Sequence, residues 1–272
     1  MPRIVLWALV LLTCVFIVAP IFVVLPLAFS TSEFLVFPPP AYSTRWFGEF
    51  FANGSWTDAL LRSLAVATAA MLVAVVLGTM GAYATFRGSW RYRRAMTAGF
   101  IVPLVVPSVV FGAGAYLLVI RLELLGSWWP LVCAHAALGL PYVFLNVGAA
   151  IRQTDPQIER AARTLGAGSV RAYASTTLQL TAPAIVISAL LAFIVSLDEV
   201  VVALFLSPDA APTLPVRMYS SIRFELDPLV PVASTLIIFG TLMLGLSCLG
   251  LAAFLRGRAS RRATPPETDS YE

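Results

Sequence analysis

Six apolar stretches dominate this chain, at about residues 6–28, 58–84, 96–120, 128–150, 181–206 and 231–255. Each meets the roughly 20 residues needed to cross about 30 Å of hydrocarbon. Only 12% of the 272 residues are charged and 59% are hydrophobic, whereas a soluble domain carries about 25% charged residues. With too few polar groups to cover a surface in water, lipid is the solvent. The chain reads as an all-α integral membrane protein of about six transmembrane helices. Residues 1–256 form one membrane domain, and 257–272 a polar, proline-containing tail expected to be disordered. The first stretch sits where a signal peptide would. Its apolar run exceeds the 7–15 residues of a secretory segment and no small-x-small cleavage site follows, so it is expected to stay as a helix.

All 18 basic residues are arginine. The lack of lysine excludes a Walker A phosphate loop and Schiff-base chemistry, so any ATP must be bound by another chain. The arginines alternate with the spans. One set of segments holds Arg3, then Arg87, Arg91, Arg93 and Arg94, then Arg152, Arg160, Arg163 and Arg171, then Arg256, Arg258, Arg261 and Arg262. The other holds Arg45, Arg121, Arg217 and Arg223, with Arg62 near the outer end of the second span. By the positive-inside rule, both termini are cytoplasmic. The net charge of +4 follows this topology rather than marking a nucleic-acid surface.

Cys14, Cys133 and Cys248 lie in apolar runs with no metal or disulfide spacing, and read as small buried hydrophobes. His135 is the single histidine, and with Asn146 it reads as a cross-helix hydrogen-bonding group. No metal site or catalytic residue is expected. In the outer segment 29–57, Phe37-Pro38-Pro39-Pro40 and then Trp46, Phe47, Phe50, Phe51 and Trp56 suit an extended entry and an interfacial aromatic belt, a surface cap over an outer cavity. Gly112-Ala113-Gly114, Pro103, Pro107 and Pro141 permit close packing and kinks.

Residues 151–180 form the one long arginine-rich loop, and it reads as ordered. Asp155 before Pro156 is an N-cap followed by proline at the first helical position. Ile158, Ala161, Ala162 and Leu165 then make one small apolar face, and Gly166 stands at the C-terminal stop. A second helical stretch runs from about Ser169 toward Pro183. A short capped helix outside the membrane fits a partner's groove; its alternative is an interfacial helix lying on lipid.

Glu159-Arg160-Ala161-Ala162-Arg163-Thr164-Leu165-Gly166-Ala167 resembles the "EAA" loop of binding-protein-dependent ABC importer permeases, with Pro183 in register with a proline that usually follows. Arg160 occupies the usual Glu position, with Glu159 one residue early, and Gln179 stands where an apolar-Pro step is common. Ser196-Leu197-Asp198-Glu199-Val200-Val201-Val202, Thr213-Leu214-Pro215-Val216, Tyr219-Ser220, Phe37-Pro38-Pro39 and Arg45-Trp46-Phe47 are similar to the spermidine/putrescine importer permeases. The resemblance implies a type I ABC importer permease fold in the bacterial inner membrane, with a cytoplasmic coupling helix that docks into an ATPase subunit. Glu159, Arg160, Ala161, Ala162, Leu165 and Gly166 are its coupling residues. It further implies half of a translocation path working by alternating access, no cofactor of its own (ATP and Mg²⁺ on a separate ATPase dimer), a second permease of different sequence and an extracytoplasmic solute-binding protein.

Asp198 and Glu199 are the carboxylates that fall inside a span. An intramembrane charge costs from about 2.5 kcal/mol upward and usually faces a bundle interior or wet cavity. From residue 181, Asp198 lies about 25 Å along the helix at 1.5 Å per residue, in the outer half. The two side chains would point about 100° apart on that helix, so one of them, preferentially Asp198, would face the path and meet a cationic amine. The alternative is structural pairing with Arg62 or another outer arginine. An intramembrane hydrolase does not fit: His135 has no Gly-x-Ser-x-Gly motif to serve, and adjacent carboxylates are the wrong geometry for an aspartyl protease. A channel would leave the capped loop unexplained.

Overall fold

The structure is a computed structural model and describes residues 2–88, 91–208, 211–224 and 226–263. Among these it has twelve helices: α1 (Pro2–Ala28), α2 (Arg45–Ala52), α3 (Gly54–Arg87), α4 (Arg93–Val105), α5 (Ser108–Arg121), α6 (Trp129–Gln153), α7 (Pro156–Thr164), α8 (Ser169–Ser175), α9 (Thr177–Leu197), α10 (Val201–Leu206), α11 (Leu214–Phe224) and α12 (Leu229–Ala263). Five of them, α1, α3, α6, α9 and α12, are long and apolar enough to cross a membrane.

The expected span at 96–120 is instead two helices, α4 and α5, bent by 103°. Val106, just before Pro107, takes an extended conformation with ψ 125°, because the proline ring disfavours helical geometry in the residue before it. Counting the bent pair as one gives six spans. The expected continuous span at 181–206 is also interrupted: α9 ends at Leu197 and α10 begins at Val201. At the other end of the chain, α12 stays helical to Ala263, past the point where a disordered tail was expected to start. Residues 264–272 of that tail lie outside the described residues.

The chain divides into two compact units, 1–63 with 211–242, and 64–210 with 243–272. In the first, Trp46, Phe50 and Trp56 are buried with Ala28, Leu214 and Val232. These rings were expected at a lipid interface, but they form a core, while Phe34, Phe37 and Phe51 remain exposed. Amphipathic α2 explains the division, since Trp46 and Phe50 lie four residues apart on one face. Two hydrogen bonds tie distant segments inside the unit: Trp56 Nε1 donates to Asp227 (3.2 Å), and the Leu214 N–H donates to Ser63 Oγ (2.7 Å). Arg62 pairs with Asp58 one turn away, at 3.5 Å.

In the second unit α6 packs along α9, with α4 and α10 also against it. Val143, Phe144, Val147 and Ile151 of α6 pack with Ala74, Ala82 and Ala192. Phe100 stacks on Phe144, with ring centroids 4.4 Å apart. A Cβ at Gly81 would overlap the Phe100 ring, so the stack requires a glycine there. The cysteines are free, but Cys14 and Cys133 are exposed rather than buried. In a bilayer an apolar side chain need not face protein to escape water, so an apolar run in sequence does not determine burial.

Candidate functional site

Two features of the second unit carry the functional argument, the loop between α6 and α9 and the break between α9 and α10. The loop begins as its sequence requires. The Asp155 side chain accepts the Gln157 N–H at 2.8 Å, and Pro156 stands at the first helical position. The helix ends at Thr164, and Gly166 takes φ +91°, the left-handed conformation that glycine adopts without a Cβ penalty. The following helical stretch is α8, separated from α9 by Thr176.

Glu159 anchors this loop. It is only 6% exposed, and its two oxygens accept three hydrogen bonds. Oε1 takes the Tyr83 hydroxyl at 2.6 Å and an Arg163 guanidinium N–H at 2.7 Å, and Oε2 takes the Thr177 hydroxyl at 3.0 Å. One carboxylate thus joins α7 to the end of α3 and the start of α9. Burial by itself raises the carboxyl pKa. The bonds from Tyr83, Thr177 and Arg163, with the Arg163 charge, outweigh it and hold Glu159 below its ordinary value. The Tyr83 and Tyr173 rings meet at 4.1 Å beside it. Burial, followed by the Glu159 charge, pushes the Tyr173 hydroxyl up. A second tie comes from Arg87, which donates to the Thr154 carbonyl at 2.9 Å.

The opposite face of α7 is bare. Leu165 is 89% exposed, Ile158 is exposed, and Val170 on α8 is 81% exposed. Ala161, Arg160 and Gly166 are exposed as well, with Ala162 half-buried. The loop residues named from the sequence therefore separate into two roles. Glu159 faces inward and holds the helix, while Arg160, Ala161, Leu165 and Gly166 face outward. Sequence reading missed Tyr83 and Thr177, because a tyrosine 76 residues from its partner leaves no local pattern.

Asp198 and Glu199 do not share a helix. Asp198 is the C-cap of α9, its N–H bonded to the Ile194 carbonyl. Glu199 Oε1 accepts the Val202 N–H at 2.9 Å, capping the first turn of α10. The reason is local: a side-chain acceptor that satisfies an orphan N–H offers the chain a new helix start in place of continuation. Asp198 is exposed and Glu199 half-buried. Just before the break, Ser196 Oγ lies 2.8 Å from Nδ1 of buried His135 on α6, the cross-helix bond expected of that histidine. Asn146 instead donates to Tyr142 O within its own helix, at 2.8 Å. Phe205 of α10 packs on Gly112 of α5, where a Cβ would lie 2.7 Å from the ring.

Long apolar helices, one of them interrupted at Asp198 and Glu199 and another followed by a capped helix with a bare apolar face, are the features of a membrane protein of transporter type. The chain belongs to the family of binding-protein-dependent transport system inner membrane components, whose family model matches residues 74–261. The putrescine transport system permease protein PotI of Escherichia coli (strain K12) is 33% identical over 269 residues, covering 94% of this chain and 92% of that protein. The spermidine/putrescine transport system permease protein PotC of Haemophilus influenzae is 29% identical over 203 residues, covering 75% of this chain and 79% of that protein. A bacterial ABC transporter that imports the acidic polysaccharide alginate superposes with TM-score 0.65 at 16% identity, covering 96% of each chain. The same type of transporter with an alginate-bound periplasmic protein gives 0.69 at 14% identity, covering 93% of this chain and 95% of that one. At those identities the likeness concerns the fold, the type I ABC importer permease fold.

Proposed function

We propose that this chain is one of two permease subunits of an ATP-driven importer of polyamines such as putrescine and spermidine. The observation that carries the coupling role is the two-sided α7: fixed from beneath by buried Glu159, with Leu165 standing free on its outer face. A rigid helix with a bare apolar tip fits a groove on an ATPase subunit. ATP and Mg²⁺ belong to that separate chain, and this subunit needs no cofactor of its own. The arginine distribution supports cytoplasmic termini and a cytoplasmic α7.

The solute assignment rests on the 33% identity with the putrescine permease, and the acidic break supports it. A polyamine is a small multiply charged cation, and Asp198 at a helix interruption offers it a carboxylate next to freed backbone groups. ATP closure would drive α7, open the path outward to a solute-binding protein, and hydrolysis would reset it. The test is uptake into proteoliposomes holding this chain, a second permease and the ATPase, with the binding protein added. ATP-dependent uptake of labelled putrescine or spermidine supports the reading. Uptake that ignores ATP, or a complex that moves another solute class and no polyamine, overturns it.

A further inference from the structure

Three arginines of the second unit converge on one apolar groove. The groove has a volume of about 750 Å³ and runs along α4, with Arg93, Arg94 and Arg152 at one end and Val102 and Val105 along its wall. Phe86 organises the basic end. The guanidinium of Arg93 lies 4.9 Å from its ring centroid and that of Arg152 lies 4.7 Å from it. Cation–π contact holds such groups in place without neutralising them. None of the three arginines is in an ion pair among the described residues. Their position deepens the imbalance. Arg93 and Arg94 open α4, whose first turn has no acidic residue and whose N-cap makes no side-chain bond, and a helix N-terminus already carries positive potential.

A positive cluster unmatched among the described residues calls for an anion, and the wall below it calls for hydrocarbon. Val105 is 75% exposed and Val102 52% exposed on that wall. A soluble anion would satisfy the first demand and leave the second bare. We propose that this groove binds an anionic phospholipid, its phosphate held by Arg93, Arg94 and Arg152 and an acyl chain lying over Val102 and Val105. Arginine suits the headgroup because its planar fork donates two parallel bonds to phosphate oxygens. Charge complementarity selects phosphatidylglycerol-like lipid over zwitterionic lipid. The occupant would fix the start of α4, and with it the upper arm of the bend at Pro107.

The assembled transporter would be placed in nanodiscs with diazirine-tagged phosphatidylglycerol or diazirine-tagged phosphatidylcholine, and crosslinks mapped on residues 101–106. The phosphatidylglycerol probe should label this stretch several-fold more than the phosphatidylcholine probe. Arg152→Gln should reduce that labelling about fivefold, the equivalent of one basic contact at an anionic surface, and Arg152→Lys, which keeps the charge but not the fork, should lose less than the glutamine variant. The wild-type comparison stands even if the glutamine variant assembles poorly. Equal labelling by both probes would reduce the groove to ordinary lipid-facing wall and overturn the assignment. So would full displacement by millimolar inorganic phosphate. Absence of lipid labelling, with Val105→Cys crosslinking to the second permease, would make the groove a subunit seam instead.

Discussion

The Tyr83 hydroxyl donates to Oε1 of Glu159 across 2.6 Å, joining the end of α3 to α7 over 76 residues of chain. Arg163 and Thr177 complete the carboxylate's partners. A short helix of nine residues is marginal by itself in water. This buried node fixes it against the end of α3 and the start of α9, the rigidity that the proposed coupling role requires.

Glu159→Ala should therefore destabilise the purified subunit by about 1–3 kcal/mol, the cost of leaving buried partners unsatisfied. Glu159→Gln, which keeps an acceptor oxygen, should cost less. The acid sensitivity has a defined sign. The folded carboxyl lies below its ordinary value of 4.5, so its contribution is complete above that pH and disappears as pH falls below it through the folded value. Thermal unfolding measured downward through pH 4.5 should show a steeper loss for wild type than for Glu159→Gln. Parallel curves would remove the node from the account.

Gly166→Val places a β-branched residue at φ +91°, a conformation that costs roughly 1–2 kcal/mol for residues with a Cβ. The subunit should still assemble, but ATP hydrolysis should separate from uptake, since the turn after α7 would shift. Paired assays of binding-protein-stimulated hydrolysis and polyamine uptake on the same vesicles check this. A fall in both by the same factor would point to lost assembly.

Leu165→Glu changes a side chain that is 89% exposed, so the subunit's own stability should move by less than about 0.5 kcal/mol. Its retention of the ATPase should drop sharply. A central apolar anchor is worth about 2 kcal/mol or more, roughly 30-fold in affinity. Co-purification with the ATPase at rising salt and dilution reads this out directly. Unchanged retention would place the docking face elsewhere.

The two carboxylates should behave differently. Glu199→Ala removes the acceptor of the Val202 N–H and should cost about 1 kcal/mol, as helix-cap deletions do, seen as lower membrane abundance. Asp198→Asn removes charge at an exposed position and should leave abundance near normal while polyamine uptake at limiting concentration falls. Full uptake by Asp198→Asn would exclude its solute role. Matched losses of abundance and uptake would favour structural pairing.

Much of this was legible along the chain because the relevant physics is local. The hydrocarbon thickness sets the length of an apolar run, so five spans stood out directly. Asp155, Pro156 and Gly166 mark a helix start and stop through backbone groups within a few residues, and the structure has the helix between them. What could not be read depends on residues far apart in sequence. Trp46, Phe50 and Trp56 resemble interfacial aromatics until Leu214 and Val232 are brought against them. Asp198 and Glu199 looked like neighbours on one helix, because composition cannot show that Glu199 would turn to cap α10. Glu159 and Arg160 were both read as coupling residues, yet Glu159 is buried and Arg160 exposed. Sequence position fixes the spacing of two adjacent side chains, but only packing against Tyr83 and Thr177 decided which one is buried, since a carboxylate goes inside only where donors from other helices wait for it.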